Sequence, residues 1–213
     1  MALSKFAFEP HQKHADEGIF EAFACGNDDC LIKMFCGTGK SLVMRRAEVL
    51  QAKSARIIAY VFPSLALIDQ FTNDYLTSPH PDSSKCEEHV IKISSDKDGA
   101  TTDISAVVLF FREFREMEAR DAHVTHQAIV CVTYQSLDVL ADALDEARES
   151  IDVAFFDEAH HSVAPTYRKY IYDRRLATKQ AFFTATPTKE MTAQEPDGDE
   201  VDSDRRASCR ERV

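Results

Sequence analysis

The sequence predicts an α/β domain built on a mostly parallel sheet with helices on both faces. Three observations carry this. Short, nearly continuous apolar runs recur along the chain, segments of helical periodicity separate them, and the polar residues suited to chemistry follow directly after the runs. Strands buried on both faces read as unbroken apolar runs rather than as alternation. Strand and helix in repeated succession build a parallel sheet, and such sheets bind ligands beyond the carboxyl ends of their strands.

Taken in order, Leu31 to Phe35, Ile57 to Phe62, Val90 to Ile93, Ala128 to Val132, Val153 to Phe156 and Ala181 to Phe183 read as strands. Helices are predicted over Gly39 to Lys53, Ser64 to Tyr75, Ile104 to Ala122 and Ser136 to Arg148. Within the third, LFFREFREMEAR is amphipathic, and its apolar residues are expected to face the sheet. Thr77 to Lys85 is rich in Pro and Ser and reads as a loop, as does Ser94 to Asp103. Beyond Lys189 apolar periodicity disappears and an acidic block precedes a basic one, the pattern of a disordered charged tail. The expected division is therefore a domain over 1–188 and a tail over 189–213, with no internal repeat.

Composition bounds the function. A chain of 213 residues with 44% hydrophobic content suits one globular domain. Twenty-five basic and 36 acidic residues leave a net charge of −11. That excludes a nucleic-acid binder working through overall positive charge, so any such contact must be local. The cysteines at 25, 30, 36, 86, 131 and 209 form no C-x-x-C pair and read as reduced thiols. No signal peptide opens the chain, and no run reaches the roughly 18 apolar residues of a membrane span. An intracellular protein, cytoplasmic or nuclear and not secreted, is expected.

Two motifs carry chemistry. MFCGTGKSLVM (Met34 to Met44) follows a strand and opens a helix, the setting a nucleotide phosphate loop needs. Glycines at 37 and 39 let the backbone curl so that Thr38 and its neighbours present N–H groups to phosphate oxygens. Lys40 can reach the β- and γ-phosphates, and the Ser41 hydroxyl can bind Mg²⁺. Met34 stands where such loops usually begin on a small residue. The second motif, Asp157-Glu158, ends the strand Val153 to Phe156. An Asp at such a tip holds Mg²⁺, and a following carboxylate can deprotonate the attacking water. Adjacent strand residues point to opposite faces, so both roles require that the strand end there.

DEAH (Asp157 to His160) with Gly-Thr-Gly-Lys-Ser upstream resembles the superfamily 2 DEAD/DEAH-box helicases and translocases, and other blocks agree in order. FEPHQ resembles their adenine-sensing segment, VFPSLALIDQF motif Ia, VTYQSLDVL the Thr-Tyr-Gln-Ser block and FTATP motif III. The doubled histidine and APTYRKY resemble the helicase/UvrB N-terminal branch, akin to type III restriction res subunits. The likeness covers about residues 6 to 188. It implies the first RecA-like phosphate-loop domain of a motor that uses ATP and Mg²⁺ to act on nucleic acid, DNA ahead of RNA. By resemblance Gln12 reads the adenine, and Gly37, Thr38, Gly39, Lys40 and Ser41 hold the nucleotide. Ser41 and Asp157 serve Mg²⁺, and Glu158 is the general base, acting with Lys40. His160, Thr184 and Thr186 couple the nucleotide site to the neighbouring domain. Ser64, Thr133 and Ser136 would grip the nucleic-acid backbone. Ser64 and Ser136 equally suit helix capping.

The family's motors have a second RecA-like domain whose arginines stabilise the transition state. No Gln-x-x-Gly-Arg-x-x-Arg block is present here. The expectation is a fragment or truncated product whose second domain lies in a longer chain or comes in trans. An ATP-binding module with little hydrolysis, acting by association, is the alternative. His123-x-x-His126 and His11-x-x-His14 lack a companion pair at zinc-finger spacing, so neither is expected to bind metal.

Overall fold

The computed structural model describes residues 8–47, 55–76, 86–95, 99–121 and 123–187. Its strands are β1 (Asp29–Lys33), β2 (Ile57–Phe62), β3 (Cys86–Ile93), β4 (Thr125–Thr133), β5 (Ile151–Phe156) and β6 (Ala177–Thr184). They form one six-stranded sheet in the order β1-β6-β5-β2-β4-β3, and every neighbouring pair is parallel. The α-helices are α1 (Pro10–Ala24), α2 (Lys40–Arg46), α3 (Leu65–Phe71), α4 (Ile104–Arg120), α5 (Leu137–Ala147) and the single turn α6 (Pro165–Arg168).

The central strand β2 shows why the apolar runs are unbroken. Ile57, Ala59 and Val61 enter the core on one face, and Ile58, Tyr60 and Phe62 enter the core on the other. Burying an Ile, Val or Phe side chain contributes about 1.5–3 kcal/mol. Ile19, Phe23, Val43, Met44, Ile68 and Phe71 from α1, α2 and α3 cover one side. Val107, Phe111 and Phe114 of α4 cover the other, beside Leu137, Leu140 and Leu144 of α5. The expected α/β architecture, with helices on both faces of a parallel sheet, is therefore observed, and the sheet is wholly parallel.

Several boundaries differ from expectation. β1 ends at Lys33, two residues before the apolar run does. Met34 leaves the sheet after one last bond, its N–H to Thr184 O at 3.1 Å, and Phe35 is 70% exposed. Helix α2 stops at Arg46, with Ala47 extended. The remainder of that helix, the Thr77 to Lys85 loop and the tail lie outside the described residues. Helix α1 went unread, although Pro10 at its first turn signals a helix start. The π-helical turn Lys169–Asp173 was also unforeseen.

At the amino ends of the strands Arg56 binds Glu118 at 2.7 Å and Glu149 at 2.7 Å. The Asp152 carboxylate accepts the N–H groups of Arg56 and Ile57 at 2.7 and 2.9 Å. This pins α4 and β5 to the start of β2 and leaves the opposite edge free for chemistry. Cys30, Cys36, Cys86 and Cys131 are free thiols. No helix among the described residues is long and apolar enough to cross a membrane.

Candidate active site

All strands run in one direction, so the loops after β1, β2, β4, β5 and β6 meet at one edge. The loop after β1 turns through Gly37 at φ +76° and Gly39 at φ +84°, backbone that glycine adopts freely. Gly39 is also sterically required, since a Cβ there would lie 2.4 Å from Gln12 Nε2. Helix α1 pins this loop: Gln12 Nε2 donates to Thr38 O at 3.0 Å, and His11 Nε2 lies 3.0 Å from the same oxygen. The Gln12 Oε1 atom accepts the Glu9 N–H at 2.9 Å, closing the start of α1. Gln12 thus ties the helix cap to the phosphate loop. Thr38 Oγ1 donates to Phe35 O at 2.6 Å, tightening the turn.

Lys40 opens α2 and is only 8% exposed. Its ammonium pairs with Glu158 and lies 3.7 Å from Asp157 Oδ1. Ser41 follows it in the first turn, half-buried. Both carboxylates reach one lysine because β5 ends at Phe156, just before them, and the chain turns at Glu158. Asp157 N–H still bonds Val61 O at 2.9 Å, whereas Glu158 turns left-handed at φ +46°. That conformation costs a non-glycine residue about 1–2 kcal/mol. It turns the second carboxylate back toward the face of the first, and such strain is stored where function needs it.

Asp157 is 7% exposed, and its Oδ1 is buried without a hydrogen-bond partner. Burial, opposed by Lys40 and reinforced by the like charge of Glu158, raises its pKa above the usual carboxylate value. A buried carboxylate oxygen without a hydrogen-bond partner is a hard oxygen donor of the kind that fits Mg²⁺. Tyr134, which the sequence reading passed over, donates its hydroxyl to Asp157 O at 2.9 Å and is buried. A buried tyrosine needs a partner for its O–H, and that need was the available signal.

His160 Nδ1 lies 3.5 Å from Glu158 Oε2 and 3.4 Å from Thr184 Oγ1. Thr184 Oγ1 in turn accepts the Thr186 N–H at 3.2 Å. A continuous polar chain therefore runs from Lys40 through Glu158 and His160 to the end of β6. His161 is exposed, and its pKa is lowered by partial burial and by His160.

Ser64, Thr133 and Ser136 stand at the carboxyl ends of β2 and β4, on the same edge of the sheet. Thr133 and Ser136 are 3% and 2% exposed and bond each other, hydroxyl to hydroxyl, at 3.2 Å. Ser64 and Ser136 occupy the N-cap positions of α3 and α5, as expected, but neither side chain makes a cap bond. Cys36 was not singled out for this site, yet its exposed Sγ lies 4.0 Å from Glu158 Oε1.

Comparison with known proteins places this geometry. The family model for the type III restriction enzyme res subunit matches residues 5–189. The structure resembles a nuclease-deletion mutant of the Type ISP restriction-modification enzyme LlaGI in complex with a DNA substrate mimic. That match has a TM-score of 0.69 and 23% identity, and covers 85% of this chain and 18% of the other. The ATP-dependent Type ISP enzyme LlaBIII bound to DNA gives 0.68 and 22%, covering 85% and 13%. The UvsW helicase of bacteriophage T4 gives 0.52 and 15%, covering 84% and 52%. The chain thus spans less than a fifth of the two restriction enzymes and about half of the phage helicase. No curated protein sequence matches it. Matched over all of its described residues, the chain belongs to the type III restriction enzyme res subunit family, and its fold is that of a RecA-like domain.

Proposed function

We propose that this domain binds ATP with Mg²⁺ and hydrolyses it in the service of nucleic-acid translocation or unwinding. One observation carries the reading: Lys40, Asp157 and Glu158 converge at the carboxyl edge of the sheet, with Asp157 Oδ1 buried, 3.7 Å from the Lys40 ammonium and without a hydrogen-bond partner. Bound Mg²⁺ would polarise the phosphates and neutralise their developing charge. The backbone of residues 37–39 cradles the phosphates, and Lys40 turns from Glu158 toward them. Glu158, released from the lysine, takes the proton of the attacking water while His160 holds its other oxygen. Gln12 keeps one N–H and one lone pair beyond its present bonds, enough to meet an adenine edge.

The nucleic acid, DNA ahead of RNA, lies along the edge formed by Ser64 and the segment Thr133 to Ser136. Two of the similar structures are described as bound to DNA or to a DNA mimic, which supports that choice. With Thr133 and Ser136 bonded together, backbone amides rather than these hydroxyls would make first contact. A second RecA-like domain, in a longer chain or in trans, supplies the arginines that complete the site. An alternative reading, ATP binding with little turnover and action by association, is favoured by one observation. The Lys40–Glu158 pair ties up the base.

Phosphate release measured with and without single- and double-stranded DNA tests the proposal. Turnover that DNA stimulates, abolished in Lys40→Ala and Glu158→Gln, supports the motor. ATP binding without turnover leaves the associating module. Absence of ATP binding refutes both.

A further inference from the structure

At the sheet edge farthest from β1, strands β3 and β4 bring together Glu87, His89 and His126. Glu87 pairs with His126 in register. Glu87 and His89, two residues apart on one strand, face the same side. His89 Nε2 lies 3.2 Å from His126 Nδ1, and Glu87 Oε2 lies 3.8 Å from that same nitrogen. One ligand atom from each residue lies within 4.8 Å of the other two, and no other such group of three occurs among the described residues.

We propose that Glu87, His89 and His126 bind a zinc-class divalent cation that clamps the edge strand β3 to β4. Bonds of about 2.0–2.1 Å in tetrahedral geometry hold ligand atoms about 3.3 Å apart. The separations of 3.2 and 3.8 Å bracket that value, so small side-chain rotations close the site. Two imidazoles and one carboxylate select Zn²⁺, Co²⁺ or Ni²⁺ over Mg²⁺ and Ca²⁺, which prefer all-oxygen sites. The far nitrogen of His126, Nε2, is buried with no partner. Ligation at Nδ1 fixes the proton on Nε2 and ends the competition between tautomers.

The surroundings supply a wall and an entry. His126 is buried, and the ring of buried Phe114 packs 5.9 Å from that of His89. Glu87 stands in solvent and leaves one coordination position open to water. The site lies near the amino ends of β3 and β4, the opposite edge from Lys40, and it is separate from the nucleotide site. Neither histidine spacing in the sequence revealed it, because His126 finds its companions across the strand pair rather than at His123.

The test uses the full chain, stripped by chelator and held in saturating Mg²⁺ so that the oxygen-lined site is occupied. Cobalt titration should give visible ligand-field absorption saturating at one equivalent and displaced by Zn²⁺. Zn²⁺ alone should raise the melting temperature. His89→Gln and the exposed Glu87→Gln should each weaken Co²⁺ binding at least about tenfold, since loss of even an outer-shell partner costs about 10–100-fold. The exposed Glu87→Gln variant should keep the wild-type melting temperature without metal to within about 2 °C, a surface substitution being worth about 0.5 kcal/mol. No ligand-field absorption would overturn the proposal. So would Co²⁺ binding by both variants as strong as that of the wild type, which would place the ion elsewhere.

Discussion

Replacing Gly39 with Ala sets two costs against the phosphate loop. Gly39 sits at φ +84°, where a Cβ costs about 1–2 kcal/mol. The added methyl would also lie 2.4 Å from Gln12 Nε2. Gln12 is 8% exposed and bonded at both amide atoms, to Thr38 O at 3.0 Å and Glu9 N at 2.9 Å. Moving it aside forfeits both bonds, about 0.5–1.5 kcal/mol each. Together Gly39→Ala should cost about 2–5 kcal/mol, which for a chain of this size lowers the melting temperature by about 5–15 °C. In a Gln12→Ala background the clash is gone, and the next atom a methyl at 39 would meet is Leu42 Cβ at 4.0 Å. There the same substitution should cost only the backbone penalty. Urea denaturation of the wild type, both single variants and the double variant gives the coupling energy, expected at about 1–3 kcal/mol. Independent sites add within about 0.5 kcal/mol, and additivity of that quality would refute the steric link between α1 and the loop.

Other variants probe the carboxyl edge. Glu158→Gln should bind a fluorescent ATP analogue as the wild type does while phosphate release falls at least about 100-fold; equal loss of binding would remove the general-base role. Asp157 has its pKa raised by burial, so folding favours its protonated form. The cost of keeping it charged is absent below the unfolded value near 3.8 and is felt as pH rises through the folded value. Asp157→Asn, measured without nucleotide or metal, should therefore raise the melting temperature at pH 7, and the gap should close toward pH 4. A lower melting temperature at pH 7 would contradict this. Tyr134→Phe leaves Asp157 O without its 2.9 Å donor and should cost about 1–3 kcal/mol in urea denaturation. An unchanged midpoint would show that the carbonyl finds another partner.

The sheet was legible because its strands are buried on two sides. Ile57 to Phe62 and Val153 to Phe156 gave apolar runs that no amphipathic element produces. Where burial is one-sided the reading weakened. β3 is mostly half-buried or exposed, with only Ile93 buried, and its sequence reads as a strand only over its last four residues. The Gly-rich loop and the Asp-Glu pair stood out because each directly follows an apolar run, and the fold brings Lys40 to both carboxylates. What stayed hidden depends on contacts between distant segments. The role of Gln12 in holding Thr38, the Tyr134 bond to Asp157 and the His89–His126 contact join residues 23 to 37 positions apart. Local spacing carries no trace of them. Resemblance to the family places Thr133 and Ser136 against a nucleic-acid backbone, whereas the fold buries both and lets each hydroxyl serve the other.

The strand order has a mechanical consequence. β6 lies between β1 and β5, so the segments bearing Lys40 and Asp157 leave strands that never touch. The width of the cleft is set by one intervening ribbon, whose last residue, Thr184, is in register with Lys33 and lies against His160. A neighbouring body that pulled on the residues after Thr184 would be pulling on a shim. Sliding that shim by a fraction of a residue would change the gap between lysine and carboxylate without moving either of their own strands.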